Sequence, residues 1–453
     1  MTRITRLLAG AALAAVPSAV SALDITVQSR HPPLQFEGAA AGGAHPIGGP
    51  GKHFVDVANR QLAPFGIHFE FHVSGGVHPA DAADVSPPAV DLSEWGSLHN
   101  AVAAGAIDAA LGIPADSGLG FGEFYAGGVP FGLRAEEFIS FLYHGGGLEL
   151  QQEFYDAAFD DGLVVLPIGI TGAQGAGFFP EPIGDPASDP DLTAEAAMAE
   201  FCARPMIVRY PGGAQVVLQE ACRAVGGDAD IIGALTRCED AGSDCGDGHD
   251  DNPVAFEPER LSFGGFAPGV IPHTMYTTGN IDAFELNTPI DDVQFLKMAL
   301  GATDQPDAEV ALSEIVPPYH YGSGWHQPWL YAELIVNREV WDGMEEGQRN
   351  LIELAAHTST LDTFTRRTAA QGAAIDLLEA NGVTHMRWPT ELLELMQATA
   401  ADALDGLAQE EAEAGDDSFA RVLAAMRAFT ASNERYFDYA NVPQGRYQAP
   451  TSP

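Results

Sequence analysis

The chain has 453 residues, enough to bury a sizeable core, and a length at which two domains are the natural expectation. Acidic residues outnumber basic ones 63 to 21, giving a formal net charge of −42, and lysine is especially scarce. That balance argues against nucleic acid or an anionic membrane as partner, because both require basic patches, but one well-placed arginine would still admit a small anionic ligand. The charge itself reads as a solubility device for a salty or divalent-rich exterior.

The first 22 residues have the pattern of a secretory signal: Arg3 and Arg6, an apolar run from Leu7 to Val16, and the small residues Val20-Ser21-Ala22 before a cleavage point. The run is too short for a permanent membrane span. No cysteine stands directly after the cleavage point, where a lipid anchor would need one, and no later stretch is long and apolar enough for a membrane helix. The expectation is a mature protein that begins near Leu23 and is soluble outside the cytoplasm.

In chain order, Asp24–Gln28 reads as a strand, Lys52–Leu62 as a helix, and Ile67–Val73 as an alternating strand. A Pro/Ala/Asp loop over 74–92 precedes a helix over Ser93–Ala104, ended by Gly105, and a strand over Ile107–Leu111. Glu136–Phe159 has helical spacing interrupted at Gly145–Gly147, and Leu163–Ile170 (LVVLPIGI) is a buried strand. After a loop over 180–193 come a helix at Ala194–Phe201, a short strand at Met206–Arg209, and a helix at Ala214–Ala224. Residues 226–270 are rich in Asp, Gly and Pro and read as a surface insertion.

The stretch Met275–Pro289 (MYTTGNIDAFELNTP) reads as a helix stopped by Gly279, then a strand over Asn280–Phe284 that delivers Glu285 and Asn287 at its end. It echoes LHNAVAAGAIDAAL about 170 residues earlier, as two similar α/β lobes would. From Tyr331 the chain is strand-like and then helical to about residue 437. The fold class is α/β with mixed sheets and a helical C-terminal tail.

Four cysteines in an exported chain point to disulfides rather than metal. Cys238 with Cys245, and Cys202 with Cys222, are one of three pairings open to them. The 14 histidines, among them His31, His45, His53, His68, His72 and His78, sit at no metal-helix spacing and read as scattered surface residues. Asp240, Asp244, Asp247, Asp250 and Asp251 lack the spacing of a calcium loop and read as a solvated acidic segment.

Four stretches are able to carry function. Gly169–Gly175 is a polar Gly-rich turn directly after a buried strand, suited to present the Gln174 amide to a cleft or else a plain strand-to-loop turn, and it lacks the residues of a phosphate loop. Arg209, before Tyr210-Pro211-Gly212-Gly213, suits a bidentate carboxylate clamp or a buried ion pair. Glu285 with nearby carbonyls and an amide forms an all-oxygen donor set suited to Na⁺ or Ca²⁺, or else is an ordinary surface glutamate. Tyr319–Pro328 is an aromatic segment able to wall a pocket or fill a core. No nucleophile elbow, catalytic-cysteine signature or metalloprotease motif is present.

Taken together, VPFGLRAEEFISFLYHGGGLEL (129–150), LPIGITGAQGAGFF (166–179), VRYPGG (208–213), GNIDAFE (279–285), GWHQP (324–328) and ELIVNREVWDGM (333–344) resemble the extracytoplasmic solute-binding proteins of tripartite ATP-independent periplasmic (TRAP) transporters. The resemblance is nearest to the branch that takes α-keto and α-hydroxy acids, and it covers nearly the whole mature chain. It implies a periplasmic-binding-protein-like fold: two α/β lobes with mixed sheets, crossing strands, a long connecting helix and a helical tail. It also implies a periplasmic protein that performs no chemistry, captures a small organic acid between its lobes, and delivers it to TRAP membrane permease subunits.

By position, Arg209 would pair with the acid's carboxylate, and Gln174, Glu285 and the carbonyl of Leu286 would hold a Na⁺ or Ca²⁺ ion bridging to the ligand. Phe178, Leu286, Asn287 and Gln327 would also line the ligand, and at three of these sites the chain departs from the branch. Leu286 stands where a Trp usually follows the metal-binding Glu, Phe178 lies in GAGFF rather than GGWF, and Gln327 replaces a glutamate in WHEP. The family includes monomers and homodimers.

The expected partition is 1–22 as signal peptide, 23–165 with 286–330 as the first lobe, and 166–285 with 331–390 as the second. Helices over 391–437 would pack on the lobes, and 438–453 would form a tail. Two other functions remain open on these residues: an exported metal-dependent hydrolase or lyase with Glu285 as base, and a binding protein that serves a sensor.

Overall fold

The computed structural model describes residues 22–29, 48–73, 86–184, 192–208, 213–234, 281–293, 316–322 and 324–440. The signal segment, Arg209, Cys238, Cys245, the Asp240–Asp251 run, Met275–Asn280 and the 441–453 tail lie outside them. Strands β1 (Leu23–Ser29), β2 (Ile67–Val73), β3 (Ala109–Gly112) and β4 (Leu163–Ile170) come first in the chain. Next are β5 (Gly177–Phe179), β6 (Met206–Val208), β7 (Ile232–Ala234), β8 (Ala283–Phe284), β9 (Tyr319–Gly322), β10 (Tyr331–Asn337) and β11 (Thr384–Arg387).

They form two mixed sheets, a five-stranded one of order β2-β1-β3-β10-β4 and a six-stranded one of order β11-β9-β5-β8-β6-β7. In the first, β1 runs parallel to β2 and β3, and β10 returns antiparallel to β3 and β4. In the second, β5 is antiparallel to β8 and β9, while β6 runs parallel to β7 and β8.

Two sheets, each with its own helices, make the expected two-lobed α/β fold, but the sheets divide the chain differently from the expected partition. Strand β10 was expected with residues 166–285, yet it pairs with β3 and β4 of the first sheet. Strand β9 was expected with the first lobe, yet it pairs with β5 and β11 of the second. The chain therefore crosses between sheets after Ile170 and again before Tyr331. Sequence order carries no cue for such an antiparallel return. Four short strands were also unforeseen: β7 falls within the residues read as insertion, β11 within those read as helical, and β5 and β9 where no strand was assigned.

Burial follows the pattern each strand occupies. Edge strand β2 alternates buried and partly exposed residues, as a strand covered on one face must. Every residue of β4 is buried although it is also an edge, and it carries Pro167, a residue that an edge tolerates because it donates no ladder hydrogen bond. The register with β10 shifts at Ala332/Glu333, opposite that proline.

Helices α1 (Gly48–Leu62), α2 (Leu92–Trp95), α3 (Leu98–Ala103), α4 (Gly122–Gly127), α5 (Ala135–His144) and α6 (Gly147–Ala158) belong to the first half of the chain. The single helix expected over Ser93–Ala104 is thus two, parted at Gly96, whose φ of 72° interrupts it. Helices α7 (Ala194–Phe201) and α8 (Gly213–Ala224) flank the second sheet.

After α9 (Arg338–Gly343), the 35-residue helix α10 (Glu346–Ala380) runs from the first lobe to the second. It packs on β4, where Thr360 Oγ1 donates to the Pro167 carbonyl at 3.0 Å, and its far end leads directly into β11. Helix α11 (Thr390–Ala414) then packs on α7 and α8 of the second lobe, and α12 (Ser418–Ala440) returns to α4 and α6 of the first. Among the described residues, no helix is long and apolar enough to cross a membrane.

A buried polar network locks the first lobe. Glu333, fully inaccessible on β10, accepts from Gln151 Nε2 at 2.6 Å and from the Tyr155 hydroxyl at 2.8 Å, with His99 Nε2 at 3.0 Å. Burial and the adjacent Glu333 push the Tyr155 phenol well above its usual range, so it stays a proton donor.

In the second lobe, a disulfide joins Cys202, just past α7, to Cys222 on α8, their Cα atoms 5.6 Å apart. It closes a loop of sequence separation 20, for which chain-entropy estimates give about 3 kcal/mol. The double substitution Cys202→Ala/Cys222→Ala is expected to lower unfolding free energy by about that amount in a urea titration. An unchanged midpoint would remove this role.

Candidate functional site

The two crossing segments are stitched together by backbone hydrogen bonds. The β4–β10 pairing continues past its ends, with Thr171 N donating to Leu330 O at 2.8 Å and Leu330 N to Thr171 Oγ1 at 3.2 Å. Beyond it, three successive amides of the Gly-rich turn reach three different stretches. Gln174 N donates to Gln327 O at 3.0 Å, Gly175 N to Asn287 O at 2.9 Å, and Ala176 N to Tyr321 O at 2.6 Å. The turn, the residues after β8 and the Trp-His-Gln-Pro segment, read separately in the sequence, thus meet at one place.

Two glycines make this approach possible. A Cβ on Gly175 would lie 2.4 Å from His320 Nε2, and one on Gly324 would lie 2.4 Å from Ala173 Cβ. Gly324 also has φ of 64°, in the left-handed region that glycine enters without strain.

Glu285 leaves β8 with only 2 % of its surface exposed, and Gln174, Leu286 and Asn287 are equally buried. The residues after it are rigidly held. Asn287 N donates to Asp292 Oδ1 at 2.8 Å, and Thr288 O accepts from Asp291 N and Asp292 N, opening a helical turn with Pro289 in its first position. Thr288 Oγ1 donates to Asp291 Oδ2 at 2.5 Å, and Arg367 of α10 forms a buried ion pair with the same aspartate. Ile290 N donates to Gln371 Oε1, also on α10, at 3.0 Å. The long helix is therefore the clamp on the segment that carries Glu285.

His326 Nε2 lies 3.6 Å from Glu285 Oε1, and the histidine is 3 % exposed. Next to it, the Gln327 amide reaches the first lobe: a Cβ on Gly127 of α4 would lie 3.0 Å from its Nε2. Phe178 is in the core of the second sheet rather than on its surface, its ring centroid 5.4 Å from that of Phe284 and 4.5 Å from that of His320.

His320, 1 % exposed, has Nε2 3.3 Å from Asp292 Oδ2 and Nδ1 3.3 Å from His385 Nε2. Burial, and secondarily the neighbouring His385, push its pKa down to about 3, so it is neutral at ordinary pH. Arg209 is outside the described residues. The parallel pairing of Ile207 with Phe284 makes β6 and β8 leave the sheet at the same end, β6 at Val208 just before Arg209 in the sequence and β8 at Phe284 just before Glu285.

The donors fit a hard cation. A carboxylate, a side-chain amide oxygen and the Leu286 carbonyl are the oxygen set that Na⁺ and Ca²⁺ prefer. Among the described residues, no group of three or more His, Cys, Asp or Glu side chains could hold a metal ion.

The buried histidines correct the expectation that the histidines are scattered on the surface: His99, His320 and His326 are all 3 % exposed or less. His326 lay within the aromatic segment singled out in the sequence, and its place beside Glu285 was the unread part. For Arg367 and Asp291 no sequence signal existed, since nothing local links a helix at 367 to a turn at 291.

No family model matches the chain. A monocarboxylate 2-oxoacid-binding periplasmic protein of Nostoc sp. is 24 % identical over 306 residues, which cover 67 % of this chain and 63 % of the Nostoc protein, just under two thirds of its length. In three dimensions the chain superposes on a TRAP periplasmic solute-binding protein from Colwellia psychrerythraea with bound calcium and pyruvate. The TM-score is 0.61 at 17 % identity, covering 93 % of this chain and 98 % of that one. A TRAP solute-binding protein from Pseudoalteromonas atlantica with bound sodium and pyruvate gives a TM-score of 0.59 at 17 % identity, over 93 % and 97 % of the two chains. The chain is thus similar in sequence to a periplasmic 2-oxoacid-binding protein, and its fold is that of the TRAP periplasmic solute-binding proteins.

Proposed function

We propose that this chain is the periplasmic solute-binding subunit of a TRAP transporter, which takes a small α-keto or α-hydroxy monocarboxylate together with Na⁺ or Ca²⁺ and delivers it to membrane permease subunits. The observation that carries the reading is the buried Glu285 carboxylate at the meeting point of the two crossing segments, with Gln174 and the Leu286 carbonyl as further oxygen donors. A cation held there chelates an acid through one carboxylate oxygen and its α-oxygen, and Arg209 takes the remaining charge. Leu286, Asn287 and Gln327 shape the space around the acid, with Phe178 packed behind them. A ligand that contacts both lobes favours their closed arrangement.

Relatives of known ligand are binding proteins. The hydrolase or lyase alternative therefore has no support beyond Glu285 itself, and nothing favours a sensor role. Leader cleavage near Ala22 and assembly as monomer or homodimer are part of the same reading.

Isothermal titration of the mature protein with pyruvate, lactate and longer keto acids, in calcium or sodium buffer, tests it. Arg209→Ala is expected to weaken the acid at least about 100-fold, in line with the loss of a bidentate charged pair in a desolvated site, while the melting temperature without ligand stays unchanged. A wild-type protein that gives no heat with any carboxylate would refute the function.

A further inference from the structure

His326 is flanked by two clamped carbonyls. On one side Trp325 O accepts from Phe131 N at 2.7 Å, and on the other Gln327 O accepts from Gln174 N at 3.0 Å. The first clamp is deliberate, because Phe131 sits at φ of 56° and its ring stacks on Trp325 with centroids 5.2 Å apart. A bulky residue in that region is strained by about 1–3 kcal/mol and persists only where its surroundings hold it. The imidazole between these clamps is buried, yet neither ring nitrogen has a hydrogen-bond partner among the described residues. Beside it lies Glu285, with Nε2 to Oε1 at 3.6 Å. A buried donor left without an acceptor is costly, so its retention beside a carboxylate calls for a state in which the bond is made.

We propose that His326 is a positioning residue for the cation site. It donates Nε2–H to one oxygen of Glu285, fixing the carboxylate so that its other oxygen faces the cation. The inference rests on the function proposed above. Among the described residues no acceptor holds the proton at Nδ1, so the Nε2–H tautomer is free to form. A shift of under an ångström closes 3.6 Å to charged hydrogen-bond range, about 2.8 Å. Carboxylates that ligate metals are themselves hydrogen-bonded, and loss of such a partner typically costs 10–100-fold in metal affinity.

The test separates the cation from the acid. Calcium, or sodium if calcium gives no heat, is titrated into the acid-free protein, and pyruvate is then titrated at saturating cation. His326→Phe, which keeps ring volume without a donor, is expected to weaken the cation about 10–100-fold and leave pyruvate affinity at saturating cation within about twofold. His326→Gln, which retains an N–H donor, is expected to recover most of the loss. If His326→Phe does not fold, His326→Leu makes the same comparison.

Unchanged cation affinity in the donor-free variant overturns the proposal. So does a large pyruvate loss at saturating cation, which would make His326 a ligand contact instead. A wild-type protein that binds the cation but no carboxylate refutes the proposed function and leaves the His326 comparison intact. One that binds neither cation overturns the positioning role itself.

Discussion

Replacing Glu285 by alanine is expected to abolish cation binding and to weaken acid binding at least about 100-fold, since loss of a partner merely bonded to a metal ligand already costs about 10–100-fold. The loss should be complete for the cation and partial for the acid, because Arg209 would still attract the carboxylate. Glu285→Gln keeps size and an oxygen donor but not the charge. It is expected to fall between wild type and alanine, and nearer alanine for Ca²⁺, whose affinity depends most on ligand charge.

The rise in melting temperature that calcium and pyruvate give wild type should disappear in the alanine variant. Differential scanning fluorimetry with and without both ligands reads the effect. A variant that keeps the ligand-induced rise would move the cation site away from Glu285.

How much of this was readable beforehand depends on the range of the physics involved. Strand β4 was legible because LVVLPIGI is apolar at every position, the mark of a strand covered on both faces. The turn after it was legible as a turn because polar Gly-rich sequence ends a buried strand, but not its use, since a plain strand-to-loop turn reads the same. The convergence of Gln174 with Glu285 followed only from resemblance, since the backbone bond that joins them, Gly175 N to Asn287 O, spans more than a hundred residues.

Strand β11 was illegible for a local reason. Thr384–Arg387 is an edge strand with no buried residue, so no alternation marks it. The sheet membership of β10 was illegible for a topological one: Tyr331–Asn337 is apolar enough to fill either core, and only its ladders with β3 and β4 decide which.

The largest stability effect is expected at Arg367. Its guanidinium is 2 % exposed and pairs with Asp291, itself inaccessible, so Arg367→Met would strand a carboxylate in the interior. Breaking a buried pair by removing one partner typically costs about 3–5 kcal/mol, a large share of the roughly 5–15 kcal/mol that holds a protein folded. Most of that cost is the stranded charge rather than the lost attraction. The double variant Asp291→Asn/Arg367→Met, which buries no charge, is therefore expected to be more stable than Arg367→Met alone. Urea unfolding of both single variants and the double one measures the coupling, and simple additivity would show that the pair does not act as a unit.

The same substitution should be felt at the site. Arg367 holds the turn from Asn287 to Asp292 against α10, and that turn supplies the carbonyl that Gly175 N needs and the peptide that ends in Glu285. Arg367→Met is expected to weaken acid binding although Arg367 is assigned no contact with the acid, and Asp291→Asn/Arg367→Met to restore only part of it, because the helix-to-turn tie remains cut. If stability falls while affinity stays at the wild-type value, the long helix supports the fold but does not set the geometry of the cation site.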